Sequence, residues 1–280
     1  MVKILAIGDF HGKLPTKLKK EAKKADLILS TGDFGGSDKL LNVVFKYFYS
    51  NWWKEVGKKK TRQYIMEDYN SGKKMIQELN NLKTPIYTIH GNWDFEEKIN
   101  KKRNAGLKLI KYSQIMKNLK NILFLNKRIT NFNGLKIYGF GGPVTPYVYT
   151  VKEGGHSKKK RDYYKRKETR ERTQLFRKTK CCKDLDIFLA HYTPYGYFDV
   201  VRYKGENPMN GKHVGFKPYT EYIKKYQPKL FICGHMHEYQ GKKKLEDTLI
   251  VATGSAKEGK AAIIDYDEEK KKIRKVEFFK

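Results

Sequence analysis

Seven polar side chains with the chemistry of metal ligands follow short apolar runs of the sequence, and each run ends abruptly in Gly, Asp, Asn or His. Carboxylate, amide and imidazole groups offer oxygen and nitrogen donors. Such a set suits Mn²⁺, Fe or Zn²⁺ better than Cu⁺. One such residue alone has an ordinary structural explanation, but seven together predict a metal site made of Asp9, His11, Asp33, Asn92, His191, His235 and His237.

Five buried strands must position these ligands. Near-continuous apolar runs of four or five residues are typical of strands that are covered on both faces. In open α/β sheets, the loops at the carboxyl ends of the strands converge on one crevice. We therefore expect the seven ligands to meet there, after strands at residues 3–7, 27–30, 85–89, 186–190 and 229–233.

Helical patterns lie between several of these strands, at residues 14–25, 64–82 and 219–226. Later apolar runs at 135–140, 248–252, 261–266 and 272–279 lack intervening helices, which indicates antiparallel strands or a second sheet. The predicted fold class is therefore α/β, a four-layer αββα sandwich in which two central mixed β-sheets are flanked by helices. We expect a single domain over residues 1–280, with insertions near 45–75 and 145–183.

The ligand motifs resemble those of a known family in order and spacing. They read Gly-Asp-Phe-His at 8–11, Gly-Asp at 32–33, Gly-Asn-Trp-Asp at 91–94, His191, and Gly-His-Met-His at 234–237. This set resembles the signature of the calcineurin-like metallophosphoesterase superfamily. The segment from Gly-Lys-His-Val-Gly at 211–215 through Gly-Ser at 254–255 further resembles its prokaryotic and archaeal small phosphodiesterase branch.

The resemblance implies a dinuclear centre in which Asp33 bridges two divalent cations. One cation would be held by Asp9, His11, Asp33 and His237, and the other by Asp33, Asn92, His191 and His235. Mn²⁺ is favoured, and Fe, Zn²⁺ or Ni²⁺ also fit. A hydroxide shared by the metals would attack phosphorus in line. Asn92 and Asp94 are the expected catalytic residues of the Gly-Asn-Trp-Asp motif.

Trp93 departs from the family pattern, because many members have there a His that protonates the leaving group. Loss of a general acid typically costs about 10²- to 10⁴-fold in rate. Diesters and substrates with good leaving groups should suffer least, which favours phosphodiesterase activity. Trp93 is expected to bind substrate by stacking or to line the pocket rim, and His213 is a candidate catalytic replacement for the missing acid.

The formal net charge of +30 is compatible with more than one kind of binding partner. Lysines spread over the whole surface would explain it without a function. Alternatively, the basic segment 157–183, with Tyr163, Tyr164 and Phe176, would be a nucleic-acid arm, and the enzyme would be a nuclease. The expected substrate is otherwise a small phosphate ester or nucleotide. A third alternative is a catalytically silent metal-binding scaffold.

Three cysteines, of which Cys181 and Cys182 are adjacent, do not form a disulfide framework, so we expect a reducing compartment. The apolar run at 2–7 is too short for a signal peptide. No stretch approaches the roughly 20 apolar residues of a membrane span. We therefore expect a cytoplasmic protein without membrane association. The oligomeric state is left open.

Overall fold

Two six-stranded sheets form the centre of the computed structural model, which describes residues 1–47, 50–96, 105–179, 184–204 and 207–279. Cys181 and Cys182 lie outside these residues. The strands are β1 Val2–Ile7, β2 Leu27–Ser30, β3 Ile86–Thr88, β4 Ile122–Phe124, β5 Arg128–Phe132, β6 Leu135–Phe140, β7 Ile187–Ala190, β8 Leu230–Cys233, β9 Gly241–Leu245, β10 Thr248–Ala252, β11 Ala261–Asp267 and β12 Lys272–Phe279. The helices are α1 Thr16–Ala22, α2 Asp38–Lys46, α3 Trp52–Glu55, α4 Gly57–Asn80, α5 Tyr112–Met116, α6 Lys158–Thr179 and α7 Lys217–Tyr226.

Both sheets are mixed, as predicted. The first has the order β12-β11-β1-β2-β3-β4, in which β1 to β4 run parallel and β11 and β12 are antiparallel. The second has the order β5-β6-β7-β8-β10-β9, with four parallel strands between two antiparallel edges. The later apolar runs therefore divide: β6 and β10 are parallel members of the second sheet, whereas β11 and β12 return to the first.

Three apolar clusters separate the layers. On β1, Ile4 and Ala6 pack between the two sheets, while Leu5 and Ile7 face the helices of the first sheet. This alternation follows from the two-residue period of a strand. On the far side, Phe188 and Phe231 of the second sheet pack with aromatic residues of α7. The fully apolar strands are thus covered on both faces, which is the αββα arrangement.

The two predicted insertions are largely helical. The first spans α3 and most of α4, and Trp52 is buried in the core cluster of the first sheet. The second contains α6, which lies within the basic segment 157–183. The structure packs α6 against the body through the buried Leu175. Among the described residues, every helix is too short or too polar to cross a bilayer.

Candidate metal centre

The seven predicted ligands come together in loops that follow strands of both sheets. Asp9 and His11 follow β1, Asp33 follows β2, and Asn92 follows β3. His191 directly follows β7, and His235 and His237 follow β8. Backbone hydrogen bonds join the loops, from Asp9 N to Gly32 O at 2.9 Å and from Gly234 N to His191 O at 2.9 Å. Strand ends distant in sequence therefore converge as the sequence predicted.

Four of the ligands have left-handed backbone conformations. The φ angles are 54° at Asp9, 43° at His11, 57° at Asp33 and 67° at His235. Non-glycine residues rarely adopt such angles, and they cluster at functional sites where the surrounding structure enforces them. The ligand residues themselves therefore form much of the tight turns in these loops.

Two of the neighbouring glycines instead make room for carboxylates. A Cβ atom on Gly91 would overlap the Asp33 carboxylate, and one on Gly234 would overlap the Asp9 carboxylate. Any side chain at either position would displace a ligand oxygen. The Gly-Asn and Gly-His pairs of the motifs are therefore explained by close approach to Asp33 and Asp9.

Two imidazole rings point their Nε2 atoms at one oxygen of Asp33. Asp33 Oδ2 lies 3.4 Å from His191 Nε2 and 3.9 Å from His11 Nε2. The other ring nitrogens face backbone carbonyls: His191 Nδ1 lies 2.9 Å from Thr31 O and His11 Nδ1 lies 3.2 Å from Gly35 O. Since a carbonyl only accepts, each Nδ1 carries the hydrogen and each neutral ring directs its Nε2 lone pair at Asp33.

The protonation states of these rings follow from burial. Burial lowers the pKa of His191, and burial together with His237 lowers the pKa of His11 to about 4. Both rings are therefore neutral near pH 7. Neutral imidazoles aimed at a carboxylate oxygen require a proton or a cation between them, and a metal ion can take that place. The donor set therefore fits a divalent metal.

Asn92 closes the same side of the site. Its Oδ1 atom lies 2.8 Å from both His191 Nε2 and His235 Nδ1. Burial lowers the pKa of His235 as well, and the Tyr192 ring stacks on it with centroids 3.8 Å apart. An amide oxygen, two imidazoles and the Asp33 carboxylate thus surround one point.

A second group surrounds Asp9. His237 Nε2 lies 3.3 Å from Asp9 Oδ1 and 3.1 Å from His11 Nε2. Although burial opposes the shift, Asp9 raises the pKa of His237, and the hydrogen bond from His237 holds the pKa of Asp9 below its usual range. In the metal-free chain, a proton on His237 thus occupies the place between these acceptors, where a cation fits equally well.

Ligand atoms of Asp9, His11 and His237 lie within 4.8 Å of one another, as do those of Asp9, Asp33 and His191. Asp9 therefore belongs to both groups. Burial and the Asp9 charge raise the pKa of Asp33. Within the described part of the chain, the ion-pair partners of Asp9 and Asp33 are histidines rather than Lys or Arg. Two adjacent buried carboxylates without a fixed counter-charge also fit bound cations.

Asp94, predicted as a catalytic residue, accepts hydrogen bonds from the backbone of two loops. Its carboxylate accepts hydrogen bonds from the backbone N atoms of Asp33, Phe34 and Gly91, each at 2.8 Å. Burial and the Asp33 charge raise its pKa to about 7. Both oxygens hold the loops after β2 and β3 together, which supports a positioning role for Asp94.

Trp93 is held from both ends. Its backbone N donates to Asp33 Oδ1 at 2.8 Å, and its indole Nε1 donates to Asp68 Oδ1 at 2.9 Å. Asp68 is buried on α4, within the first insertion. Because an indole N–H does not release its proton, this side chain is not a general acid. The sequence interpretation missed Asp68, which no local motif marks.

His213 lies in the loop between β7 and α7, where its described contacts are with Asp199 and Tyr195. Its Nδ1 donates to Asp199 Oδ1 at 2.8 Å, and the Tyr195 ring lies 5.4 Å away between centroids. Asp199 is buried and also accepts from Gly196 N at 3.0 Å and Gly215 N at 3.2 Å. The His213 side chain is 47% exposed. The sequence interpretation did not identify Asp199.

The sequence matches the family model described as "Metallophosphoesterase, calcineurin superfamily" over residues 1–276. The chain therefore belongs to this family, whose members are metal-dependent phosphoester hydrolases. No curated protein matches the sequence at a significant level.

Solved structures share the fold at low sequence identity. One crystal structure superposes with a TM-score of 0.61 at 20% identity, covering 99% of both chains. The protein TT1561 of Thermus thermophilus gives a TM-score of 0.52 at 16% identity, covering 99% of this chain and 97% of that one. Phosphopantetheinyl hydrolase from Mycobacterium tuberculosis gives 0.50 at 10%, covering 91% and 90%. These matches agree with the calcineurin-like arrangement of two sheets.

Proposed function

We propose that the chain is a dinuclear metal-dependent phosphodiesterase. The observation that carries this proposal is the position of Asp33 Oδ2, on which the Nε2 lone pairs of His11 and His191 converge from opposite groups of ligands. Because both groups of ligands face this Asp33 oxygen, two bound cations would share it. Asp9, His11 and His237 would complete one site, and Asn92, His191 and His235 the other, with Mn²⁺ as the favoured ion.

Two bound cations would supply positive charge for the phosphoryl oxygens and lower the pKa of water. The protein residues hold the ligand atoms in position. His235 N donates to both oxygens of Asp9, at 3.1 and 3.0 Å, and Ser255 Oγ donates to Asp9 O at 2.9 Å. Asp94 fixes the loop that carries Asn92. These contacts hold the ligand atoms in place before substrate arrives, which reduces the cost of reorganisation during reaction.

The preference for diesters rests on Trp93. Its indole is anchored to Asp68, so the Gly-Asn-Trp-Asp loop supplies no acid for the leaving group. A diester whose leaving group departs as a stabilised oxyanion needs such help least. The His213–Asp199 pair is the alternative proton donor, because Asp199 fixes the Nδ1 hydrogen and leaves Nε2 for proton transfer.

The test is hydrolysis of bis(p-nitrophenyl) phosphate and p-nitrophenyl phosphate by the Mn²⁺-loaded protein. We expect turnover of the diester to exceed that of the monoester, and Asp33→Asn to abolish both. Asp247→Asn is the matched control, because Asp247 is an exposed carboxylate with one weak ion pair to Lys244. Bound metal without turnover of either ester would identify a silent scaffold, and a preference for the monoester would contradict the diesterase assignment.

A further inference from the structure

The outer face of α6 carries cations in a single line. Residues three, four or seven positions apart lie on one face of a helix, and Lys159, Tyr163, Arg166, Arg170 and Arg177 follow this spacing. All five side chains are exposed. We call these five residues the outer basic stripe. It extends for about 27 Å along the helix axis, given a rise of about 1.5 Å per residue.

The opposite face of α6 fixes the helix to the body. Leu175 is fully buried, and the Phe176 ring packs 5.8 Å from the Tyr222 ring of α7. Glu171 Oε2 accepts a hydrogen bond from Thr145 N at 2.8 Å. The stripe is therefore presented by a docked helix, which loses little conformational entropy when a ligand binds.

Charges are sorted between the two faces of α6. The segment Lys158–Thr179 contains eleven Lys and Arg but only three acids. Glu168 and Glu171 lie on the partly buried inner side, and Asp162 borders the stripe at its amino-terminal end. Within the described residues, no ion pair involves Lys159, Arg166, Arg170 or Arg177.

We propose that the outer basic stripe is a docking surface for single-stranded nucleic acid. Four unpaired cations in a line about 27 Å long suit a run of backbone phosphates. Tyr163, exposed at 51%, supplies an aromatic face on which an unpaired base can stack. Stacking of this kind requires a base that is free of a duplex, which is why the surface favours single strands.

The stripe is connected to the metal centre through aromatic packing. The Tyr164 ring on the inner side of α6 lies 5.1 Å from Tyr149, between centroids. Tyr149 packs against an apolar cluster that includes Met236, the residue between His235 and His237. A nucleic-acid strand bound along α6 therefore lies on a helix that supports the ligand loop after β8.

The test compares two triple variants of equal net charge. Arg166→Gln, Arg170→Gln and Arg177→Gln are combined in one, and Lys58→Gln, Lys59→Gln and Lys60→Gln on exposed positions of α4 in the other. Binding of a labelled single-stranded RNA is measured by fluorescence anisotropy at several salt concentrations, with a chelator present so that hydrolysis does not remove the probe.

We expect the stripe variant to lose about tenfold or more in affinity and its salt slope to fall by about 2, at about 0.7 per single-strand phosphate contact. The α4 variant should lose far less. Equal losses in the two variants would overturn the proposal, since they would show that only the overall charge attracts RNA.

Tyr163→Ala separates single strands from duplexes. We expect it to weaken binding of the single strand by about fivefold or more, and to leave binding of a duplex of the same length unchanged. Equal effects on both probes would overturn the single-strand assignment. Helix content by circular dichroism and diester hydrolysis should be unchanged in all three variants. The binding result therefore stands apart from the proposed activity.

Discussion

The indole Nε1 of Trp93 donates to the carboxylate of Asp68 at 2.9 Å, which joins the loop of a metal ligand to a helix of the first insertion. The two residues are 25 positions apart in the sequence. The bond directs the indole towards α4 and commits its only polar hydrogen. The contact of Trp93 with α4 therefore determines which chemistry is available beside Asn92.

Trp93→His should raise turnover of phenyl phosphate relative to p-nitrophenyl phosphate, by about tenfold or more, because an imidazole can protonate the poorer leaving group. Steady-state kinetics with the two monoesters would measure the ratio. Trp93→Phe is the matched control, since it removes the indole without adding an acid. The same ratio in both variants would show that the loss of an acid does not set the preference.

Asp94→Asn should destabilise the metal-free protein by about 3 kcal/mol, because an amide group would replace a carboxylate that holds three backbone N–H groups. Urea denaturation in the presence of a chelator measures this loss without any contribution from catalysis. Asp26→Asn is the control, since the exposed Asp26 carboxylate accepts a hydrogen bond from the backbone amide of Lys3. Losses of stability of similar size in both variants would contradict a positioning role for Asp94.

Acid should destabilise the protein through His90. Burial lowers the pKa of His90 to about 3, and within the described residues its Nδ1 has no hydrogen-bond partner. The unfolded chain binds a proton below about pH 6.5 whereas the folded chain does not, so stability falls as the pH falls. The loss is about 1.4 kcal/mol per pH unit, or about 2 kcal/mol by pH 5.

Urea denaturation of wild type and His90→Gln from pH 7 to pH 5 isolates this effect, because the other buried histidines are present in both proteins. We expect the free energy of unfolding to fall by about 2 kcal/mol less in the variant. Parallel pH profiles would mean that His90 does not remain neutral in the folded state.

Asp199→Asn should slow hydrolysis of esters with poor leaving groups by about tenfold, because His213 would lose the charged acceptor that fixes its tautomer. Esters with good leaving groups should be affected little. In a His213→Ala background the Asp199 substitution should have no further effect on this dependence. Additive losses would show that Asp199 supports the loop and not the proton donor.

The sequence predicted the central strands well because their composition is determined by burial. β2 begins and ends as expected, and β1, β7 and β8 are within one residue of the prediction. β9 was missed, since its exposed Lys242, Lys243 and Lys244 have no apolar pattern. β9 is an edge strand held by its pairing with β10, and lysine is common at such edges.

The sequence also predicted that the loops carrying the seven candidate ligands meet, because each loop follows a strand and strand ends converge. It did not predict the residues that hold these loops. Asp68 and Asp199 reach Trp93 and His213 through tertiary contacts that no spacing encodes. The amide partners of Asp94 were equally hidden, since they come from two separate loops.

The most direct test of the dinuclear centre is the number of metal ions per chain. Mass spectrometric metal analysis of the Mn²⁺-loaded protein after gel filtration should give two ions in the wild type and in Asp247→Asn. Asp33→Asn should retain one ion or none, because the two proposed sites would share its Oδ2 atom, which faces both His11 and His191. A single ion in the wild type, or two ions undiminished in Asp33→Asn, would contradict the account.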